Sequence, residues 1–84
     1  MKRKHRIFGI DITDTFGGES NYCWVYRFNV TAKTERGAMR KIGREFGYAW
    51  RNVGADRWDA LGACICAFIL DYPHNPEHVT VKEI

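Results

Sequence analysis

Alternation of apolar and polar residues predicts two strands in the first third of the chain. In the segment 7–13, Phe8, Ile10 and Ile12 fall on one face, and Gly9, Asp11 and Thr13 fall on the other. The segment 22–31 alternates more strongly, with an aromatic residue or valine at every second position. The intervening turn, 16–21, contains two glycines that are free to adopt positive φ. We therefore expect an antiparallel hairpin.

The hydrophobic period changes beyond residue 33 and predicts one helix over 35–46. Thr34 is suited to cap its N-terminus and Gly47 to end it in the left-handed conformation. Gly37 and Gly43 each weaken the helix by about 1 kcal/mol relative to alanine. We expect at least one of them to allow a close approach to the sheet. The apolar stripe at helical spacing consists of Ala38, Met39, Ile42 and Phe46.

The second half of the chain leaves two alternatives open. Residues 48–62 fit either a short hairpin that turns at 54–56 or a loop. Residues 63–70 are interpreted as a buried central strand, although a helix starting near Asp56 also fits the apolar spacing of Trp58, Leu61, Ile65 and Phe68. We expect a rigid turn over 72–76 and a last strand over 79–82, paired with the strand before it.

These elements predict a small single α+β domain spanning 1–84. Their order is ββαββ, and the expected architecture is an antiparallel sheet with one helix packed on one face. The first six residues, Met-Lys-Arg-Lys-His-Arg, are predicted to form a basic and flexible N-terminus.

Composition indicates a folded protein that does not enter a membrane. The chain is 45% hydrophobic and 14% aromatic, which is typical of a domain with a core. Its longest apolar stretch, 60–70, has 11 residues, whereas a membrane span needs about 20. The three cysteines fit reduced, buried thiols better than a disulfide framework. Because no signal-peptide core follows the basic start, we expect a cytoplasmic protein.

Charge is unevenly distributed and favours an anionic partner. Residues 1–57 contain 12 lysines and arginines against 6 acids, whereas residues 58–84 contain 1 against 4. A basic surface of this kind suits a negatively charged ligand.

The polar face of the predicted helix is the first candidate site. Arg36, Arg40 and Arg44 recur every four residues, with Lys33 and Lys41 beside them. Guanidinium groups pair well with phosphate, so these five residues are predicted to bind nucleic acid or a nucleoprotein. The competing interpretation is the ordinary solvated face of an amphipathic helix.

A second candidate site combines tryptophan with arginine, the composition of interaction hot spots. It consists of Trp50, Arg51, Arg57 and Trp58. This site predicts a protein–protein interaction module instead, such as a phage-type inhibitor of a host or defence protein. The alternative is that each tryptophan closes one end of a small core.

The aromatic row of the second strand has two possible roles. Tyr22, Trp24, Tyr26 and Phe28 could stack on bases if they lay on an open sheet face. We expect them in the core instead, because a sheet with one covering helix buries its more apolar side.

Metal binding and catalysis receive little support. A site built from Cys64, Cys66, His74 and His78 would need an unusual C-x-C pair and a proline between the histidines. The chain contains no paired catalytic carboxylates, phosphate-cradling glycine loop or nucleophile elbow. We expect no enzyme activity, no metal and no cofactor.

Overall fold

Two long strands form the centre of the fold. A computed structural model describes residues 5–75, 77 and 80–84, so the predicted flexible N-terminus lies mostly outside the described residues. Strand β1 (Arg6–Phe16) pairs with β2 (Glu19–Ala32) in the predicted antiparallel hairpin. The turn is shorter than predicted: it consists of Gly17 and Gly18, whose φ angles of 62° and 86° suit glycine.

Among the described residues there is one helix, α1 (Glu35–Phe46), and it has the predicted bounds. Its first turn is capped by Thr34, whose side-chain oxygen accepts a hydrogen bond from the Gly37 backbone N–H at 3.0 Å. It ends at Gly47, which has a φ of 90° and donates its N–H to the Gly43 carbonyl at 2.9 Å. In the described part of the chain, no helix has the length and apolar character needed to cross a membrane.

After the helix, both segments whose structure the sequence left open, 48–62 and 63–70, contain strands. Strands β3 (Trp50–Gly54) and β4 (Arg57–Ala60) form a hairpin that turns at 55–56. Strand β5 (Ile65–Leu70) pairs with β4 on one side and β1 on the other. The predicted central strand is therefore confirmed, and the alternative helix starting near Asp56 is wrong.

The last strand differs from the prediction in both its partner and its direction. Strand β6 (Val81–Glu83) runs parallel to β2, and the sheet order is β3-β4-β5-β1-β2-β6. Both edges of β5 are occupied by β4 and β1, so the chain cannot pair β6 with the strand before it. The predicted order ββαββ and the wholly antiparallel sheet are therefore wrong. Val79, at the start of the predicted strand, lies outside the described residues.

The core lies between α1 and one face of the sheet. Alternation along β1 places Phe8, Ile10 and Ile12 on this face, and all three are fully buried. Of the predicted helix stripe, Ala38, Met39 and Ile42 are buried in the core, and Phe46 is partly buried and packs against it. Other members of the core cluster are Phe28, Val30, Ala32, Trp58, Ala67 and Ile69.

The aromatic row of β2 is only partly core. Phe28 is 5% exposed, but Trp24 is 36% and Tyr26 is 53% exposed. A helix of 12 residues is about 18 Å long, whereas a strand of 14 residues is about 45 Å long, so α1 cannot cover all of β2. Tyr22, with a positive φ of 57°, stacks on Phe68 at a centroid distance of 6.5 Å. The expectation that the whole row is buried is wrong.

The face of the sheet opposite α1 is partly covered by the segment 71–75. Gly9 donates its N–H to the Tyr72 carbonyl at 2.9 Å, and a Cβ at position 9 would lie only 2.7 Å from that oxygen. The His74 backbone N–H donates to Asn29 Oδ1 at 2.7 Å, and His74 Nε2 lies 2.9 Å from Asp11 Oδ1. The turn predicted over 72–76 is thus fixed to the sheet over its described residues; Pro76 lies outside them.

Candidate functional site

A groove of about 570 Å³ runs between α1 and the hairpin of β3 and β4. We call it the arginine groove, because Arg36, Arg40 and Arg44 line its helix side. Trp50 and Trp58 line its sheet side. The two candidate sites that the sequence suggested therefore contribute to the same concave surface.

The chain forms this groove by folding back sharply after α1. A Cβ at position 43 would lie 2.6 Å from the Tyr48 carbonyl oxygen and 3.5 Å from Trp50 Cδ1. The return segment, residues 48–50, can therefore pack this closely on the helix only because residue 43 is glycine. Gly43 is thus the glycine that allows a close approach, and it brings the helix close to the segment that enters β3. The return segment is tied to the end of β4 by a 2.8 Å hydrogen bond from the Leu61 N–H to the Ala49 carbonyl.

The three arginines form a basic wall. One comes from each of three successive turns, about 6 Å apart along the helix axis, and all are exposed. The groove lining contains no aspartate or glutamate. Within residues 5–75, 77 and 80–84, no carboxylate forms an ion pair with any of the three guanidinium groups. Their charge is therefore available to a ligand.

The two tryptophans form the sheet wall of the groove. Trp58 is 5% exposed, and the Arg36 guanidinium carbon lies 5.6 Å from its ring centroid in a cation–π contact. In the described part of the chain, neither Nε1 of Trp58 nor Nε1 of Trp50 has a hydrogen-bond partner, although both atoms are buried. Leaving such an N–H unpaired costs about 1–3 kcal/mol.

The other predicted nucleic-acid-binding residues lie outside the groove lining. Lys41 Nζ donates a hydrogen bond to the Thr31 carbonyl at the end of β2. Lys33 is exposed and precedes the helix cap. Of the five basic residues, the structure therefore brings together only the three arginines.

The second predicted cluster is divided by the pleat of the sheet. Trp50 and Trp58 face α1, whereas alternation places Arg51 and Arg57 on the opposite face. There Arg57 donates to Asp59 Oδ1 at 3.0 Å and to the Gly18 carbonyl at 2.8 Å. The hydrogen bond to Asp59 raises the pKa of Arg57. The four residues do not form one patch.

A line of aromatic rings leads away from the groove. We call Trp24, Tyr26, Phe46 and Tyr48 the aromatic ridge. Tyr48 lines the groove, and the successive ring centroids from Tyr48 to Trp24 are 6.1, 5.7 and 5.1 Å apart. Sequence reasoning left Tyr48 in an ambiguous segment and assigned Trp24 and Tyr26 to the core. The predicted helix is shorter than the predicted strand, and this difference in length was the signal that Trp24 and Tyr26 would be left uncovered.

Some polar groups outside the groove are already paired. Asn21 donates to Asp14 Oδ2 at 2.8 Å, and this hydrogen bond lowers the pKa of Asp14.

Cys66 is buried, which raises the pKa of its thiol, whereas Cys23 and Cys64 are exposed, contrary to the expectation of buried cysteines. Over the described residues, no three His, Cys, Asp or Glu side chains are grouped so as to hold a metal ion; His78 lies outside them.

Comparison with protein-family models, curated proteins and solved structures finds no match for this chain. Function must therefore be inferred from the groove, the ridge and their charges.

Proposed function

We propose that this protein is a non-catalytic binding protein whose arginine groove binds the phosphate backbone of nucleic acid. The observation that carries the proposal is the row of Arg36, Arg40 and Arg44 along a groove with no acidic residue in its lining. Arginine remains protonated at physiological pH and presents a planar fork that matches phosphate oxygens. Three such groups in a line suit a polyanion better than a single small anion.

The tryptophan wall of the groove adds support. Trp58 is 5% exposed and its ring contacts the Arg36 guanidinium, so this arginine is held at the groove by a fixed aromatic ring. The concave shape lets one ligand reach the three arginines together.

The test compares two charge reversals on opposite faces of the domain. Arg40→Glu removes a groove arginine, whereas Arg51→Glu makes the same change of charge on the face away from α1. Fluorescence anisotropy with a labelled oligonucleotide should show wild-type affinity for Arg51→Glu. Arg40→Glu should weaken binding about 10- to 150-fold, the effect of losing a hydrogen bond to a charged group. Equal effects of the two substitutions would contradict a groove-specific site.

The protein–protein alternative has less support from the geometry. An anchor residue must project into a pocket of its partner, and Trp58, at 5% exposure, does not project. Arg57 is already bonded to Asp59 and Gly18. Should the titration detect no nucleic acid bound, Arg51→Glu becomes the first variant to test against candidate protein partners.

A further inference from the structure

We infer that the ligand of the arginine groove is a single strand, whose bases stack on the aromatic ridge. The inference rests on the proposed function and goes beyond it by specifying the form of the nucleic acid. The inference assigns one ligand to both the groove and the aromatic ridge. The phosphate-binding proposal uses only the groove.

The ridge is an exposed surface that the fold leaves uncovered. Trp24, Tyr26 and Tyr48 are 36%, 53% and 39% exposed, and they lie beyond the C-terminal end of α1. An aromatic side chain buries about 150–250 Å² when it is covered, so leaving several exposed forgoes stabilisation that a small domain needs. A ligand with flat apolar surfaces would recover that burial.

The ridge is continuous with the groove. Tyr48 belongs to both, and Phe46 connects it to Tyr26 through centroid distances of 6.1 and 5.7 Å. A strand whose phosphates follow the arginines can therefore place neighbouring bases over the ridge. Exposed aromatic rings beside a basic groove are the combination by which single strands are bound without sequence readout.

A duplex fits this surface less well. Its bases are stacked inside the helix, so their faces cannot reach the rings of the ridge. A single strand can turn its bases outward, so it can place them on the ridge while its phosphates contact the arginines.

The experiment uses four ligands of one length, about 12 nucleotides, within the range of site sizes for single-strand binding folds. They are a DNA strand, an RNA strand of the same sequence, the DNA duplex, and a DNA strand of abasic residues. The abasic strand keeps every phosphate but has no base to stack. Anisotropy titration at one low salt concentration should show the normal DNA or RNA strand bound about fivefold or more tightly than the abasic strand. The duplex should bind more weakly than the normal strand. Comparison of the DNA and RNA strands shows which of the two is preferred.

Substitutions on the ridge separate stacking from charge. Tyr26→Ala should weaken binding of the normal strand about five- to a hundredfold and leave binding of the abasic strand unchanged. Tyr26→Phe should restore most of the affinity, because it keeps the ring. Tyr72→Ala is the matched control: Tyr72 is 61% exposed, but its segment lies on the opposite face. Circular dichroism and the melting temperature of each variant establish that it is folded.

The outcomes distinguish this inference from the proposed function. Equal affinity for duplex, abasic and normal strands, with no effect of Tyr26→Ala but a strong effect of Arg40→Glu, would overturn the inference and leave the phosphate-binding groove intact. Absence of binding to all four ligands would overturn both.

Discussion

At the scale of single residues, Trp58 shows how one side chain serves both the core and the groove. Its ring belongs to the buried cluster under α1, while its N–H lacks a partner in the described part of the chain and its face contacts the Arg36 guanidinium. The two interpretations of the tryptophans, as core residues and as binding residues, are therefore compatible for this residue. Burial holds the ring in place, so the surface that Arg36 contacts loses little entropy when a ligand binds.

Cys66 provides a residue-scale prediction that does not depend on function. Its side chain is fully buried near the start of β5, and burial raises the pKa of its thiol, so little reactive thiolate forms at neutral pH. Cys23 and Cys64 are exposed. With maleimide at about pH 7.5 under native conditions, mass spectrometry should find Cys23 and Cys64 labelled quickly and Cys66 only after unfolding. Labelling of Cys66 as fast as that of Cys64 would contradict its position in the sheet.

At the scale of elements, the return from α1 to β3 depends on a single glycine. Gly43→Ala would gain about 1 kcal/mol of helix propensity but would force a Cβ to 2.6 Å from the Tyr48 carbonyl. Overpacking of this kind costs about 1–3 kcal/mol. Gly37→Ala is the matched control. Its Cβ would lie 3.2 Å from Thr34 Oγ1 and 3.8 Å from Ala32 Cβ, and both of these are side-chain atoms.

Urea unfolding of the two variants checks this prediction. Gly43→Ala should have the lower free energy of unfolding, because a backbone carbonyl yields less readily than a side-chain hydroxyl. It should also weaken ligand binding, since the displaced segment carries Tyr48 and Trp50. Greater stability of Gly43→Ala than of Gly37→Ala would mean that the return segment does not pack against the helix as described.

The elements also show which features of the fold can be predicted from local sequence. The bounds of α1 follow from signals within a few residues of each end, the Thr34 cap and the left-handed Gly47. The central hairpin follows from alternation on both sides of a glycine turn. The partner of β6 has no such local signal. It is decided by which sheet edges are already occupied, and that depends on the pairing of β5 with both β1 and β4.

The candidate site was predictable only in part, for a related reason. The spacing of Arg36, Arg40 and Arg44 identifies one wall of the groove, because periodicity along a helix is a local property. The other wall requires knowing that β3 and β4 form a hairpin and that the pleat turns Trp50 and Trp58 toward the helix. The same pleat separates them from Arg51 and Arg57, although the four residues are close in sequence.

At the scale of the whole molecule, the two faces of the sheet have different roles. The face covered by α1 carries the core, the arginine groove and the aromatic ridge. The opposite face is partly covered by the segment 71–75, and its charged groups include paired residues such as Arg57 with Asp59 and Arg27 with Asp11. On the helix side, Arg36, Arg40 and Arg44 have no acidic neighbour among the described residues that line the groove.

The most direct test of the central claim is the salt dependence of nucleic-acid binding. If the three groove arginines each neutralise one phosphate of a single strand, the logarithm of the association constant should fall linearly with the logarithm of salt concentration, with a slope of about −2. Arg40→Glu should make that slope shallower by about 0.7, the contribution of one phosphate contact. Arg51→Glu should leave it unchanged. A slope near zero for the wild-type protein, or one that Arg40→Glu does not alter, would contradict phosphate binding by the arginine groove.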